Sequence, residues 1–211
     1  MIIAIDGPAA SGKGTIARKI ADLHNYAYLD TGLLYRAVAR DIKMAGGCLE
    51  SEDDAVAAAQ KIDVETLSDQ NLRLPRSGDA ASVIACHPGV RHVLLHLQRD
   101  FAKQAPGAVL DGRDIGTVVC PNADVKLFIT ADAEVRAERR FLELKARGDV
   151  VNREDILTQI KVRDKRDSER AHSPLSPAED AILLDTTNLG KIDAFDAAVE
   201  LIKRKIGQPN A

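Results

Sequence analysis

The sequence predicts a doubly wound α/β fold: a five-stranded parallel sheet with helices on both faces, plus a small inserted lobe and a short lid. Three observations carry this. Five short apolar runs recur along the 211 residues: Ile2–Asp6, Tyr26–Asp30, Ala108–Asp111, Val125–Thr130 and Ala181–Asp185. They are near-continuous rather than alternating, as parallel strands covered on both faces require, and stretches of helical spacing lie between them. The first run leads at once into Gly7-Pro8-Ala9-Ala10-Ser11-Gly12-Lys13-Gly14-Thr15 and then an amphipathic stretch. That order is strand, glycine loop, helix, the context of a phosphate-binding P-loop.

The remaining elements follow in order. Ile16, Ile20 and Leu23 are spaced to share one helical face after the loop. Tyr35 to Met44 reads as a helix after the second strand. Residues 46–81 break the rhythm, with an acidic helix-like piece from Glu50 to Ile62 and two short strands expected around Val64–Leu67 and Leu72–Leu74. Pro75, Ser77 and Gly78 end this segment. It is expected to be a lobe inserted into a core made of 1–45 and 82–211. Val90, Val93, Leu94 and Leu97 stand at i, i+3, i+4, i+7, and Phe101 extends that face. Val135 to Arg147 is a charged helix, Ile156, Ile160 and Val162 mark another, and Ile192 to Ile206 closes the pattern before a frayed tail, 207–211.

Composition narrows the function. Net charge is −3, which argues against nucleic acid held by bulk electrostatics, and aromatics at 3% leave little for base stacking. Cys48, Cys86 and Cys120 have no metal-ligand spacing and read as reduced, semi-buried thiols. Met1 leads straight into a strand without a basic leader, and no apolar run reaches the ~20 residues of a membrane span. The expectation is a cytoplasmic monomer with no membrane or nucleic-acid partner.

In the loop, Gly7 and Gly12 permit tight turns and close approach to phosphate oxygens, and inward N–H groups at a helix N-terminus hold the anion. Lys13 adds a mobile charge. The residue after the lysine is Gly14 where Ser or Thr is usual, and Thr15 comes one place later. Three further clusters stand at strand ends or on helices. Leu29 to Arg36 ends a strand in Asp30-Thr31-Gly32 and puts Arg36 one turn into a helix. That pattern fits an N-cap and surface arginine, or a second phosphate ligand. Asp111 ends the strand expected beside the P-loop strand, where such proteins keep the acid that supports Mg²⁺, and Arg113 and Asp114 follow it. Arg163, Asp167 and Arg170 fall at i, i+4, i+7 on one stripe, suited to a ribose hydroxyl plus phosphate. Arg136, Arg139, Arg140, Lys145 and Arg147 precede a polar loop at Gly148–Asn152 and could form a lid near 145–155 that excludes water.

With these clusters the chain resembles bacterial cytidylate kinases over nearly its whole length. The matching parts are Gly7–Thr15, Leu29–Arg36, Asp111–Val119, the stripe from Arg163 to Arg170 with Ser173-Pro174-Leu175, and Leu184-Asp185-Thr186-Thr187. The K-G-T loop ending is normal for monophosphate kinases. The inserted lobe looks shorter than in the longest members, around Leu74–Asp79. The resemblance implies Mg²⁺-assisted transfer of the ATP γ-phosphate to CMP or dCMP. It implies ATP on Gly7, Pro8, Ala9, Ala10, Ser11, Gly12, Lys13, Gly14 and Thr15, with Thr15 on Mg²⁺ directly or through water. It makes Arg36 and Arg113 acceptor-phosphate ligands and Ser82, Arg91 and Asp114 cytosine readers. Thr31 and Asp111 join the substrate site, Arg163, Asp167 and Arg170 grip ribose and phosphate, and catalysis rests on Lys13, Arg113, Arg163 and Arg170. Alternatives remain: a kinase of another small acceptor, a nucleotide-hydrolysing switch, and a non-catalytic nucleotide binder.

Overall fold

The computed structural model describes residues 1–207, the side chains of Gln70, Arg73, Pro75 and Arg76 excepted. Its sheet contains β1 (Ile2–Asp6), β2 (Ala27–Asp30), β3 (Ala108–Gly112), β4 (Val125–Thr130) and β5 (Ile182–Asp185) in the order β2-β3-β1-β4-β5, all parallel. All five expected strands form. Helices are α1 (Lys13–His24), α2 (Thr31–Met44), α3 (Glu52–Ala59), α4 (Pro75–Ile84), α5 (Pro88–Ala102), α6 (Ala133–Ala146), α7 (Arg153–Glu169) and α8 (Lys191–Gly207). Beyond Gly207, the expected frayed tail lies outside the described residues.

The strands are apolar throughout because each face has its own core. Ala4, Leu29, Ala108 and Leu110 pack under α2, α4 and α5, whereas Ile3, Ile5, Val109, Leu127 and Ile129 pack under α1 and α8. Neighbouring residues therefore point to opposite cores, as the pleat demands. Strand order reverses around β1, with β3 on one side and β4 on the other. That switch point opens a crevice beyond the carboxyl ends of the strands. In register, Ile5 stands beside Asp111 and Asp30 beside Asp111, so the strand-end carboxylates converge there.

Helix boundaries follow from local chemistry. Ser51 caps α3 by accepting from the Asp54 N–H, with Glu52, Asp53 and Asp54 in the first turn where the helix dipole favours anions. Asn152 caps α7 by accepting from Glu154 and Asp155. Pro75 and Pro88 open α4 and α5 at a position where a missing N–H costs nothing.

Three expectations are corrected. The two strands expected around Val64–Leu67 and Leu72–Leu74 are 3₁₀ turns, Val64–Ser68 and Gln70–Arg73. Asp63 and Asp69 accept from the N–H groups of Glu65 and Asn71 and so close the backbone locally instead of leaving it extended. Leu23 is 56% exposed, and Ala17 and Ala21 fill its expected place beside Ile16 and Ile20. The helix expected from Ile156, Ile160 and Val162 forms as α7, with Ile156 and Ile160 buried and Val162 exposed. The cysteines are not alike: Cys48 and Cys86 are exposed and Cys120 is buried. The 46–81 boundary falls inside α4, and Ala55, Ala59, Ala80 and Ala81 are buried in the same cluster as the sheet residues Ala4 and Leu110. Leu72 anchors the 3₁₀ turns on Leu33 and Ala37 of α2.

Candidate active site

The site begins with the loop between β1 and α1. Gly7 has φ 151°, and a Cβ there would lie 2.0 Å from the Ile129 carbonyl oxygen. Gly12, the N-cap of α1, is left-handed at φ 89°. Both positions need glycine, the first for space and the second for conformation. The loop's carbonyls are tied outward: Arg136 Nη1 donates to Ala9 O at 3.1 Å and Thr186 Oγ1 to Ser11 O at 3.2 Å. The structure also explains Gly14. A Cβ there would sit 3.1 Å from Asp111 Oδ2, so any side chain at this position would crowd the carboxylate.

A cavity of about 260 Å³ opens over this loop. Ala9, Ala10, Lys13 and Gly14 line one side, and Arg36, Arg113 and Arg163 the other. Asp30 and Asp111 lie between. Burial and then the Arg113 charge hold the Lys13 ammonium down at about 8, against the pull of Asp111 and Asp30. Burial and the neighbouring Asp30 push the Asp111 carboxyl up to about 7. Tyr28 donates its hydroxyl to Asp111 Oδ1 at 3.3 Å, and Thr31 Oγ1 donates to the Asp111 carbonyl at 2.8 Å. Thr31 thus serves β3 rather than capping α2. Arg36 Nη1 donates to Leu72 O at 2.8 Å, so the inserted segment holds one end of this guanidinium.

Beyond the cavity the acceptor-side residues form two carboxylate-centred clusters. Asp167 is 3% exposed; it accepts from Ser82 Oγ at 2.9 Å and Arg113 Nε at 2.8 Å, with Arg163 Nε 3.8 Å away. Burial opposes its ionisation, but Arg113 and Arg163 outweigh it and hold the carboxyl below the usual carboxylate range. Burial and Arg113 bring Arg163 down to about 10. Asp114 pairs with Arg91 and lies 3.8 Å from Arg170 Nη2, while Arg170 Nε donates to Ser173 O at 2.7 Å. A recess lined by Tyr35, Ser82, Arg91, Arg113, Asp114 and Asp167 joins the clusters.

Donor chemistry remains unspent in both. Arg91 Nε, Arg163 Nε and Arg170 Nη2 are buried without hydrogen-bond partners, and so is Ser11 Oγ in the loop. Buried polar atoms of this kind are costly and call for an explanation, which an anionic ligand would supply.

The loop carrying Arg113 and Asp114 is set from below. Asp6, at the end of β1, accepts from the N–H groups of Ile115 and Gly116 at 2.8 and 2.7 Å, and burial pushes it up to about 6. These donors open a π-helical turn, Ile115–Val119.

The expected site residues divide accordingly. Ala9, Ala10, Lys13, Gly14, Arg36, Asp111, Arg113 and Arg163 meet in the main cavity. Thr31, Ser82, Arg91, Asp114, Asp167 and Arg170 meet with Arg113 and Arg163 in the recess. Ser82 is buried inside α4, and Arg91 is a half-buried partner of Asp114. Thr15 is exposed in the first turn of α1 and does not line the cavity. Sequence reasoning missed Gly78, Asp79 and Gln159 in the lining. Their only signal is the turn chemistry around Gly78. It also missed the support Tyr28, which donates to Asp111.

A parallel sheet with strand order β2-β3-β1-β4-β5, a P-loop at its switch point and a facing arginine cluster define a P-loop kinase. Comparison with known proteins makes this specific. The cytidylate kinase family model matches residues 3–204. A cytidylate kinase of Azorhizobium caulinodans is 56% identical over 98% of this chain and 100% of its own. One of Xanthobacter autotrophicus is 55% identical over 97% and 98%. The chain belongs to the cytidylate kinase family. Solved structures of an uncharacterized Eubacterium ventriosum protein (TM-score 0.53, 17% identity, 99% of both chains) and a Thermus thermophilus protein (TM-score 0.50, 20% identity, 98% and 97%) share its fold.

Proposed function

We propose that the protein transfers the γ-phosphate of ATP to CMP or dCMP, giving ADP and CDP or dCDP, in line and without a covalent enzyme intermediate. One observation carries this reading: two differently built anion sites meet at one cavity, the P-loop with Lys13 and the cluster of Arg36, Arg113 and Arg163. A nucleotide binder or a hydrolytic switch needs only the first.

In this reading the P-loop N–H groups and Lys13 hold the donor phosphates. Arg36 and Arg113 hold the acceptor phosphate, and Arg163 and Arg170 neutralise charge as the phosphoryl group passes. The acceptor is already an anion, so catalysis rests on positioning and electrostatics rather than on a general base. Asp167 orients Arg113 and Arg163 and is the acceptor for a ribose hydroxyl. Asp114 accepts from the exocyclic amine of cytosine, and Arg91 and Ser82, its hydroxyl turned from Asp167, donate to the ring nitrogen and carbonyl of the base. Uracil presents a carbonyl where cytosine has that amine, so an acceptor would face the Asp114 carboxylate, which discriminates against UMP.

Mg²⁺ suits the donor set: Asp30 and Asp111 are hard oxygen ligands at the cavity, and this ion usually takes one or two carboxylates plus substrate phosphates. They fit the role better than the exposed Thr15. Bound there, the ion would screen the phosphate charges. Residues near 145–155, between α6 and α7, act as the lid, and residues 46–81 as the monophosphate-binding lobe. The protein works on free nucleotides as a cytoplasmic monomer.

ADP release from ATP and Mg²⁺ with CMP, dCMP, UMP or AMP, and with no acceptor, tests the reading. Fast release only with CMP and dCMP is expected. Equal release without acceptor would overturn it in favour of a hydrolytic switch.

A further inference from the structure

Arg136 looks like one cation among many on a charged helix, yet it is 5% exposed. Its Nε donates to Ala131 O at 2.7 Å and its Nη1 to Ala9 O in the P-loop at 3.1 Å. The same guanidinium forks onto Asp164 of α7, with contacts of 3.1 and 2.5 Å. Such a bidentate pair fixes direction as well as distance. Asp164 directly follows Arg163 and stands one turn before Asp167, both on the acceptor side. A helix turn moves as a unit, so a shift at Asp164 is a shift of those two residues.

A second contact runs beside the first. Ala10, at φ 59° in the P-loop, packs against the apolar cluster between α6 and α7 built on Ala137, Leu144, Ile156 and Ile160. At its far end α7 meets α4 through Asp167 and Ser82. Thus α7 is held between the donor loop at one point and the acceptor recess at another.

We propose that Arg136 is a positioning residue that couples occupancy of the P-loop to the placement of Arg163 and Asp167. This rests on the kinase reading above. Phosphates filling the loop fix Ala9 and Ala10; the fixed Ala9 carbonyl sets Arg136, Arg136 sets Asp164, and α7 carries the acceptor stripe into register. Coupling is reciprocal, so acceptor binding tightens donor binding by the same factor.

The test is calorimetric binding of CMP with and without a non-hydrolysable ATP analogue and Mg²⁺, for the wild type and Asp164→Asn. Asp164→Asn keeps side-chain shape and leaves the two carbonyl contacts of Arg136 intact. The wild type should bind CMP at least about 5-fold more tightly with the analogue present. In the variant that ratio should fall below about 2-fold. A uniform structural loss would weaken CMP binding in both conditions and leave the ratio unchanged, which would overturn the proposal. Arg136→Lys, which keeps the charge but not the fork, should lower the ratio too. A wild type that turns over CMP but shows no ratio above one overturns the coupling alone. A wild type that neither binds nor phosphorylates CMP overturns the kinase reading, and the coupling with it.

Discussion

The two sides of the cavity are built from different materials. On the P-loop side the ligand-facing surface is backbone, shaped by Gly7 and Gly12 and pinned by Arg136 and Thr186. On the other side it is side chains: Arg36 of α2, held by the Leu72 carbonyl, and the arginines of α5, of α7 and its C-terminal end, and of the loop after β3, ordered around Asp114 and Asp167. Backbone binding suits a triphosphate whose many oxygens need many donors. Charged forks suit a single phosphate and a base that must be told from its relatives. The backbone side should therefore fail through folding and geometry, and the side-chain side through chemistry and specificity.

The largest effect should come from the side-chain half. Arg113→Met removes a cation from the reacting centre and should lower kcat roughly 10²–10³-fold in steady-state assays, with donor affinity little changed. A small change would move the centre of the reaction away from Arg113. Gly7→Ala tests the other half. Its methyl would collide with the Ile129 carbonyl, so stability should fall by about 3 kcal/mol in urea melts. Unchanged stability would mean that the loop can swing clear and is not fixed by β4.

Asp114→Asn should reduce the preference for CMP over UMP by roughly 10-fold or more, read from the ratio of kcat/KM values, because the amide can donate to a uracil carbonyl. An unchanged ratio would put base recognition elsewhere.

The smallest effect concerns pH. Asp111 titrates near 7 in the folded chain, well above its unfolded value of 3.8. The folded state then binds more protons between those values, so this group's contribution to stability falls as pH rises from about 4 to about 7. The Tm of Asp111→Asn relative to wild type should become more favourable from pH 5 to pH 7.5. A constant gap would mean that Asp111 stays ionised.

The same contrast explains what was legible in the sequence. The P-loop and the strands could be read because their determinants are local: glycine placement, apolar runs, a lysine at a helix start. Arg163 and Asp167 were legible because α7 carries both one turn apart, whereas Arg170, expected on the same stripe, follows the helix in extended backbone and faces Asp114. Ser82 and Arg91 were not, since what makes them site residues is contact with Asp167 and Asp114, respectively 85 and 23 positions away. Residues 64–74 misled because Val64 and Leu67 or Leu72 and Leu74 look strand-like, while the turn-forming power of Asp63 and Asp69 decides the backbone. Arg136 was hidden in a run of charges whose burial depends on where α7 docks.

The central claim is that donor and acceptor are held by separately constructed halves. Binary dissociation constants for Asp167→Asn test it most directly: CMP alone, and the ATP analogue with Mg²⁺ alone, by calorimetry. Losing the charge that orders Arg113, Arg163 and Ser82 should weaken CMP by roughly 10-fold or more and leave the donor within about 2-fold. Equal weakening of both ligands, or unchanged CMP binding, would contradict the account.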